Sequence, residues 1–199
     1  MKLSNNLHVT DKMNGKMKGF ASLSSNSNSF CEKMSKVQGS VCQKCYANRM
    51  KKLYESLNKV LDKNDQILNS KDLTQWNLTN YAYFRLQAFG DCSSQKVVNN
   101  YFNFVEANPQ TTFALWTKRP DMINKVIAKR GKPANLILVR SSIMINKPAN
   151  LPKNFDKVFT VYDKETSKKV NINCGAKSCL NCRLCYTHND TVYVNEVLK

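Results

Sequence analysis

Seven of the eight cysteines in this chain of 199 residues are gathered into two groups, and gathered thiols are its strongest chemical signal. The C-terminal group is Cys174, Cys179, Cys182 and Cys185, with two-residue gaps between the last three. That spacing lets a tight loop turn its sulfurs inward around one object. A single zinc ion is usually held by C-x2-C pairs with a long spacer, because a small tetrahedral ion is crowded by three ligands in so short a run. A cubane iron–sulfur cluster is larger and accepts a consecutive C-x2-C-x2-C run. The N-terminal group is Cys31, Cys42 and Cys45. Two arrangements follow. In one, the trio holds an open-site [4Fe–4S] cluster and the quartet a closed one. In the other, both groups serve one cluster, and the remaining thiols are unligated or bind zinc. The first uses every gathered cysteine.

The compartment decides between ligation and disulfides. The opening residues carry no apolar signal segment, and no apolar run reaches membrane-spanning length. The expectation is a cytoplasmic protein with no membrane partner, where thiols stay reduced and clustering means metal. Cys92 stands alone and reads as a small semi-buried hydrophobe. His8 and His188 read as surface histidines. His188 follows Cys185 by three residues and is the one placed to replace a cysteine as ligand.

The elements that must position these groups read as one α/β domain over 1–199, with a polar arm over 1–18, a βα core over 19–163 and a cysteine-rich extension over 164–199. Apolar runs predict five strands, over 20–24, 81–89, 112–116, 135–139 and 157–161. A helix over 46–61 has Met50, Leu53, Leu57, Val60 and Leu61 on one face. It places Cys42 and Cys45 in the loop at its N-terminus, where the helix dipole favours an anionic ligand. A short helical piece is expected over 66–73. Ser93 or Ser94 caps the next helix, which Asn108-Pro109 stops; Pro120 opens another, which Gly131 ends. Trp76 and Trp116 belong to the core. Strands alternating with helices give a parallel sheet. Five strands are too few for a closed eight-stranded barrel, so the expected fold is a partial (β/α) TIM-like barrel or an open parallel sheet, with flanking helices and cysteine-rich loops at both ends.

In such folds ligands bind beyond the carboxyl ends of the strands. Those ends carry Ser24 and Ser25, Gly90 and Asp91, Thr117 and Lys118, Arg140 with Ser141 and Ser142, and Tyr162 with Asp163. The trio follows the first strand and the quartet the last, so both groups belong at this rim. The formal charge is +17, from 31 basic and 14 acidic residues, which attracts nucleic acid or another anionic ligand. Scattered lysines that outnumber arginine, beside abundant asparagine, are also what an A/T-rich genome encodes.

A three-cysteine loop closing with Cys42-Gln-Lys-Cys45-Tyr46-Ala47 between a strand and a helix resembles the entrance to a radical S-adenosylmethionine domain. The resemblance implies a partial barrel whose three cysteines hold a [4Fe–4S] cluster with one iron open for the cofactor. It places Gly90-Asp91 where the cofactor's amino group is held, and Arg140, Ser141 and Ser142 near its ribose or carboxylate. Ten residues separate Cys31 from Cys42, where radical enzymes mostly have three. A closer resemblance is to the phage family "gene product 88". It rests on Cys31, on Cys42 to Ala47, on Arg85-Leu-Gln-Ala-Phe-Gly90-Asp91, on Leu115-Trp-Thr117-Lys118 and on the run from Cys174 to Cys185. That family implies a viral iron–sulfur protein. If the chain is an enzyme, Asp91, Lys118 and Arg140 shape its anionic cofactor or substrate. Two other readings stay open: a zinc- or cluster-stabilised nucleic-acid-binding protein, and an electron-transfer or redox-sensing protein.

Overall fold

The computed structural model describes residues 6–74, 76 and 80–198. Six parallel strands form one sheet in chain order: β1 (Ala21–Leu23), β2 (Tyr83–Leu86), β3 (Thr112–Thr117), β4 (Leu136–Ser141), β5 (Lys157–Tyr162) and β6 (Tyr193–Val197). Within the sheet each strand lies beside the strands next to it in sequence, as in a barrel wall. The sheet is not closed among the described residues, and β1 and β6 are its edges. The expectation of a parallel α/β sheet holds, with one correction: the closing tail supplies a sixth strand. Its signal is weak because Tyr193 is exposed and only Val194 is buried, so an edge strand carries little of the apolar run that marks an interior one.

The outer face is built on alternate strand residues. Leu23, Phe84, Leu86, Phe113, Leu115 and Leu138 are fully buried there against α4 (Gln95–Glu106) and α5 (Pro120–Arg130). Ser94 caps α4 by accepting from the Val97 N–H, Pro120 opens α5 and Gly131 closes it. The expected helix over 46–61 is two helices, α2 (Tyr46–Leu53) and α3 (Glu55–Ser70), which break at Tyr54. Of the separate piece expected over 66–73, residues 66–70 are the end of α3 and 71–73 are not helical. A short α1 (Ser29–Ser35) precedes them, and among the described residues no helix joins β4 to β5.

The arm expected to be irregular over 1–18 is anchored from residue 7 onward; its first five residues lie outside the described residues. Leu7 and Val9 are fully buried, and Thr10 bridges Ser22 antiparallel, which covers the β1 edge. Isolated apolar residues in a polar stretch find partners only in the tertiary fold. No helix among the described residues is long and apolar enough to cross a membrane.

Candidate metal centre

The inner face of the sheet carries Phe20, Tyr83, Trp116, Ile137, Val139 and Phe159. Chain-ordered parallel strands put their crossover helices on the opposite face, so these residues need another cover. The two chain ends supply it. Met13 and Met17 of the arm pack here with Cys179, Cys185 and Tyr186 of the C-terminal loop. The quartet is therefore a plug on the inner face, and only the trio sits on the loops beyond β1.

The plug is shaped locally. Ser178 caps a single turn, α7 (Cys179–Cys182), by accepting from Asn181 N–H. Arg183 then takes a left-handed conformation at φ 52°, and its N–H bonds to Cys179 O at 2.8 Å. The chain reverses and brings Cys185 back. Cys174 is tied to β6, its N–H bonding to Asn195 O at 3.0 Å. Each of the four thiols lies within electrostatic reach of others in the group. Burial pushes Cys185 up to about 12 and, with the Glu196 charge adding, Cys174 up to about 11; burial also raises Cys179. Lys16, Arg85 and Lys157 place positive charge on the same sulfurs. Lys157 is almost fully buried on β5, and its ammonium donates to Asn189 Oδ1 at 2.9 Å and Thr191 O at 2.8 Å, anchoring the loop.

The trio is held differently. Cys31 lies in the first turn of α1, not in the loop expected before it. Asn28 caps that turn by accepting from the Phe30 and Cys31 N–H groups, while its amide donates to Asp91 O at 2.8 Å. Cys42 sits in a 3₁₀ turn, Val41–Lys44, and Cys45 is the N-cap of α2, as the sequence predicts. The loop is stitched to the β4–β5 connection: Val41 N–H donates to Ile143 O at 2.8 Å and Ile145 N–H to Gly39 O at 3.0 Å. Burial raises Cys31 and Cys42, the Asp91 charge adds to it, and Lys118 opposes it in both. Among the described residues the Lys118 ammonium has no hydrogen-bond partner.

Residues 1–193 match the profile of a family described as gene product 88. The chain belongs to the gene product 88 family. The phage-family resemblance is met, and it says nothing of iron, sulfide or S-adenosylmethionine. No curated protein and no solved structure matches the chain.

In this gene product 88 protein the rim residues come together, but several are committed to the scaffold. Asp91 is 4% exposed. Its carboxylate accepts from Thr117 Oγ1 at 2.6 Å, Cys92 N–H at 2.8 Å and Lys118 N–H at 2.9 Å, so it ties β2 to the end of β3. Gly90 has φ +67°, and a Cβ there would meet Asn26 O at 2.4 Å; the glycine lets two strand-end loops touch. Arg140 donates to Lys118 O. Ser142 Oγ lies 2.9 Å from Thr160 Oγ1 and accepts from Ala149 N–H, which fixes the β4–β5 loop. Ser141 closes β4, half-buried. Cys92 is fully buried beneath this layer, and His188 is a surface residue 3.8 Å from Asp156.

Arg85 is the residue that the strand pattern did not single out. It lies in register with Ser22 and Ala114 on the inner face, its guanidinium 4.1 Å above the Trp116 ring. Its charge acts on Cys179, Cys185 and Tyr186 of the plug, and on Tyr46 beside Cys45. Its Nε is buried with no hydrogen-bond partner among the described residues. An arginine inside Tyr83-Phe84-Arg85-Leu86 was a visible signal, since charge in the middle of an apolar strand is costly. As the side chains stand, no three of the described His, Cys, Asp or Glu residues form a ready metal site.

Proposed function

We propose that this is a thiolate-ligated iron–sulfur protein, with a closed cluster on Cys174, Cys179, Cys182 and Cys185 and a second, open-site cluster on Cys31, Cys42 and Cys45. The observation that carries it is the orphaned Nε of Arg85 beside the quartet. A buried donor with no acceptor is expensive, and a thiolate-bound cluster is an anion with sulfur acceptors. The donor set fits in chemistry: all sulfur, free of disulfides, and surrounded by Lys16, Arg85 and Lys157. Loading draws together sulfurs that do not yet converge and releases their protons, as thiolate ligation requires. A cluster on the trio would supply a one-electron donor with a free coordination position, the chemistry that S-adenosylmethionine cleavage needs. Lys118, whose ammonium is unclaimed, is the residue suited to hold an anionic group of that ligand. Asp91, Gly90 and Ser142 act behind it by fixing the rim.

Iron, zinc and acid-labile sulfide on anaerobically purified protein test this. The expected result is about eight irons with matching sulfide, about four per cubane. About four overturns the two-cluster arrangement. Zinc without sulfide overturns the cluster reading and leaves a zinc-stabilised scaffold. A spectral change on adding S-adenosylmethionine supports the open iron, and its absence at full iron loading argues for electron transfer alone.

A specific observation also favours nucleic acid as a partner. Residues 33–54 contain six basic and no acidic residues, and Lys33, Lys36, Lys44, Arg49 and Lys52 are exposed. That is local charge, not a scattered excess, and it is the part of the chain suited to contact phosphates.

A further inference from the structure

The basic segment ends in an apolar and aromatic corner. Tyr46, Arg49 and Leu53 recur along one stripe of α2, and Tyr54 follows at the break before α3. Tyr46 is 51% exposed, Leu53 64% and Tyr54 54%. A stripe of this kind normally faces a core, but α2 buries only Ala47. Tyr46 is rigid all the same: its hydroxyl donates to Ala88 O and its ring lies 5.6 Å from Phe89. Tyr54 is the N-cap of α3 yet makes no side-chain cap bond, a position where Ser, Asp or Asn would stabilise the helix. Local stability does not explain a tyrosine there.

Tyr54 also borders a cavity of about 340 Å³, walled by Leu57, Val60 and Leu61 with Thr10 and Ser56 among its polar lining. That volume is at the small end of ligand pockets, and an apolar wall with a few hydroxyls suits a flat heteroaromatic ring. Asn64, a buried residue of its lining, is spent on the His8 backbone and Ser24 O. A duplex hides its base faces, whereas a single strand offers each base for stacking. Exposed aromatic rings beside Arg49 and Lys52 therefore match a single strand, with the cations tracking its phosphates.

We propose that the α2–α3 corner binds single-stranded nucleic acid, stacking bases on Tyr46 and Tyr54 and taking one unstacked base into the cavity beside Tyr54. This rests on the nucleic-acid reading above and not on either metal site. The test is fluorescence anisotropy of labelled oligothymidylate, oligouridylate and a duplex, on metal-loaded protein over a series of salt concentrations. The single strands are expected to bind more tightly than the duplex, and their ratio tells DNA from RNA. Tyr54→Ala weakens single-strand binding about 5- to 140-fold, while Tyr54→Phe retains it. Val60→Phe fills the cavity from its wall and weakens single-strand binding without affecting the duplex, which keeps the test open should Tyr54→Ala unfold. Arg49→Glu and Lys52→Glu weaken both and lower the single-strand salt slope by about 0.7 each. Equal binding of strand and duplex, untouched by Tyr54→Ala and Val60→Phe, overturns this proposal but leaves the basic-surface reading. No binding of any probe overturns both. Self-association abolished by Leu53→Ala and Tyr54→Ala assigns the corner to a second copy of the chain and overturns the proposal.

Discussion

Replacing Asp91 by asparagine tests whether the strand ends beneath the trio are held by one carboxylate. The side chain is 4% exposed, so water cannot readily replace a lost bond. Oδ1 accepts from Thr117 Oγ1 and Cys92 N–H, and Oδ2 accepts from Lys118 N–H. An amide cannot serve all three. With its oxygen toward Thr117, its NH₂ faces the Lys118 N–H, donor against donor. Flipped, it faces the Cys92 N–H instead. Either way one buried backbone donor is orphaned, at about 1–3 kcal/mol. For a chain of this size each kcal/mol moves the melting point by about 2–4 °C, so the expected loss is about 2–12 °C. Asp91→Ala strands all three donors and costs at least about 3 kcal/mol. Thr117→Val removes the hydroxyl that donates to Asp91 and accepts from the Arg119 N–H at 3.0 Å, so it also orphans one backbone donor and costs about 1–3 kcal/mol, comparable to Asp91→Asn. Thermal melts of metal-loaded protein place Asp91→Ala below Asp91→Asn and Thr117→Val, and in Asp91→Asn hydrogen exchange should quicken at the Cys92 or Lys118 amide. An Asp91→Asn protein that melts within about 1 °C of wild type, below the smallest shift expected, with both amides still protected, would refute the reasoning.

Gly90→Ala forces a Cβ to within 2.4 Å of Asn26 O at φ +67°, and left-handed strain plus the clash costs about 2–5 kcal/mol, read as a lowered melting point. Asp163 is held at about 2, against an ordinary 3.8, by its bond from Asn146 and its cap on α6 (Lys164–Ser167). A depressed carboxyl stabilises above its unfolded value and loses that contribution as pH falls through the folded one. The Thr166 amide should therefore lose protection between about pH 4 and pH 2, and Asp163→Asn should flatten that dependence. Lys157→Met removes the two bonds that tie the loop to β5, from its ammonium to Asn189 Oδ1 and Thr191 O; both acceptors can reach water, so the net loss is about 0.5–1.5 kcal/mol per bond, and limited proteolysis should cut first near 186–191.

The outer half of the fold was legible in the chain. The β3, α5 and β4 segments carry long apolar runs punctuated by Pro120 and Gly131, and those signals are local. The helix over 46–61 shows the limit of the same reasoning. Periodicity finds an apolar stripe but does not say what covers it, and Leu53 and Tyr54 face solvent. The rim was legible by residue type and less so by role. Gly90-Asp91 reads as a ligand motif, yet the glycine makes room for Asn26 and the carboxylate braces two strands. The meeting of Lys16 with Glu196 at 2.9 Å joins the two ends of the chain, and no local pattern foretells a contact of that range.

That meeting explains why the quartet lies where it does, and it yields a last prediction. Six chain-ordered parallel strands leave an inner face of aromatic and aliphatic side chains that the crossover helices cannot reach. The plug that covers it is poor in apolar residues: Tyr186 is its one fully inserted ring, helped by Met13 and Met17. The outer layer, by contrast, is held by a continuous core from Leu23 to Leu138 and does not depend on the plug. If the quartet carries metal, binding free energy is what makes so thin a cover stable, since a preformed thiolate site rarely survives in the unbound chain. Chelation should then raise hydrogen exchange over 174–189 and over the arm at 13–17, and expose the inner face to a hydrophobic dye. The α4, α5, β2 and β3 amides should stay protected. Uniform loss of protection across both layers would mean that the metal supports the whole domain. Unchanged exchange over 174–189 in demonstrably metal-free protein would mean that the plug stands by packing alone, and that the sulfurs on it are not there to hold it shut.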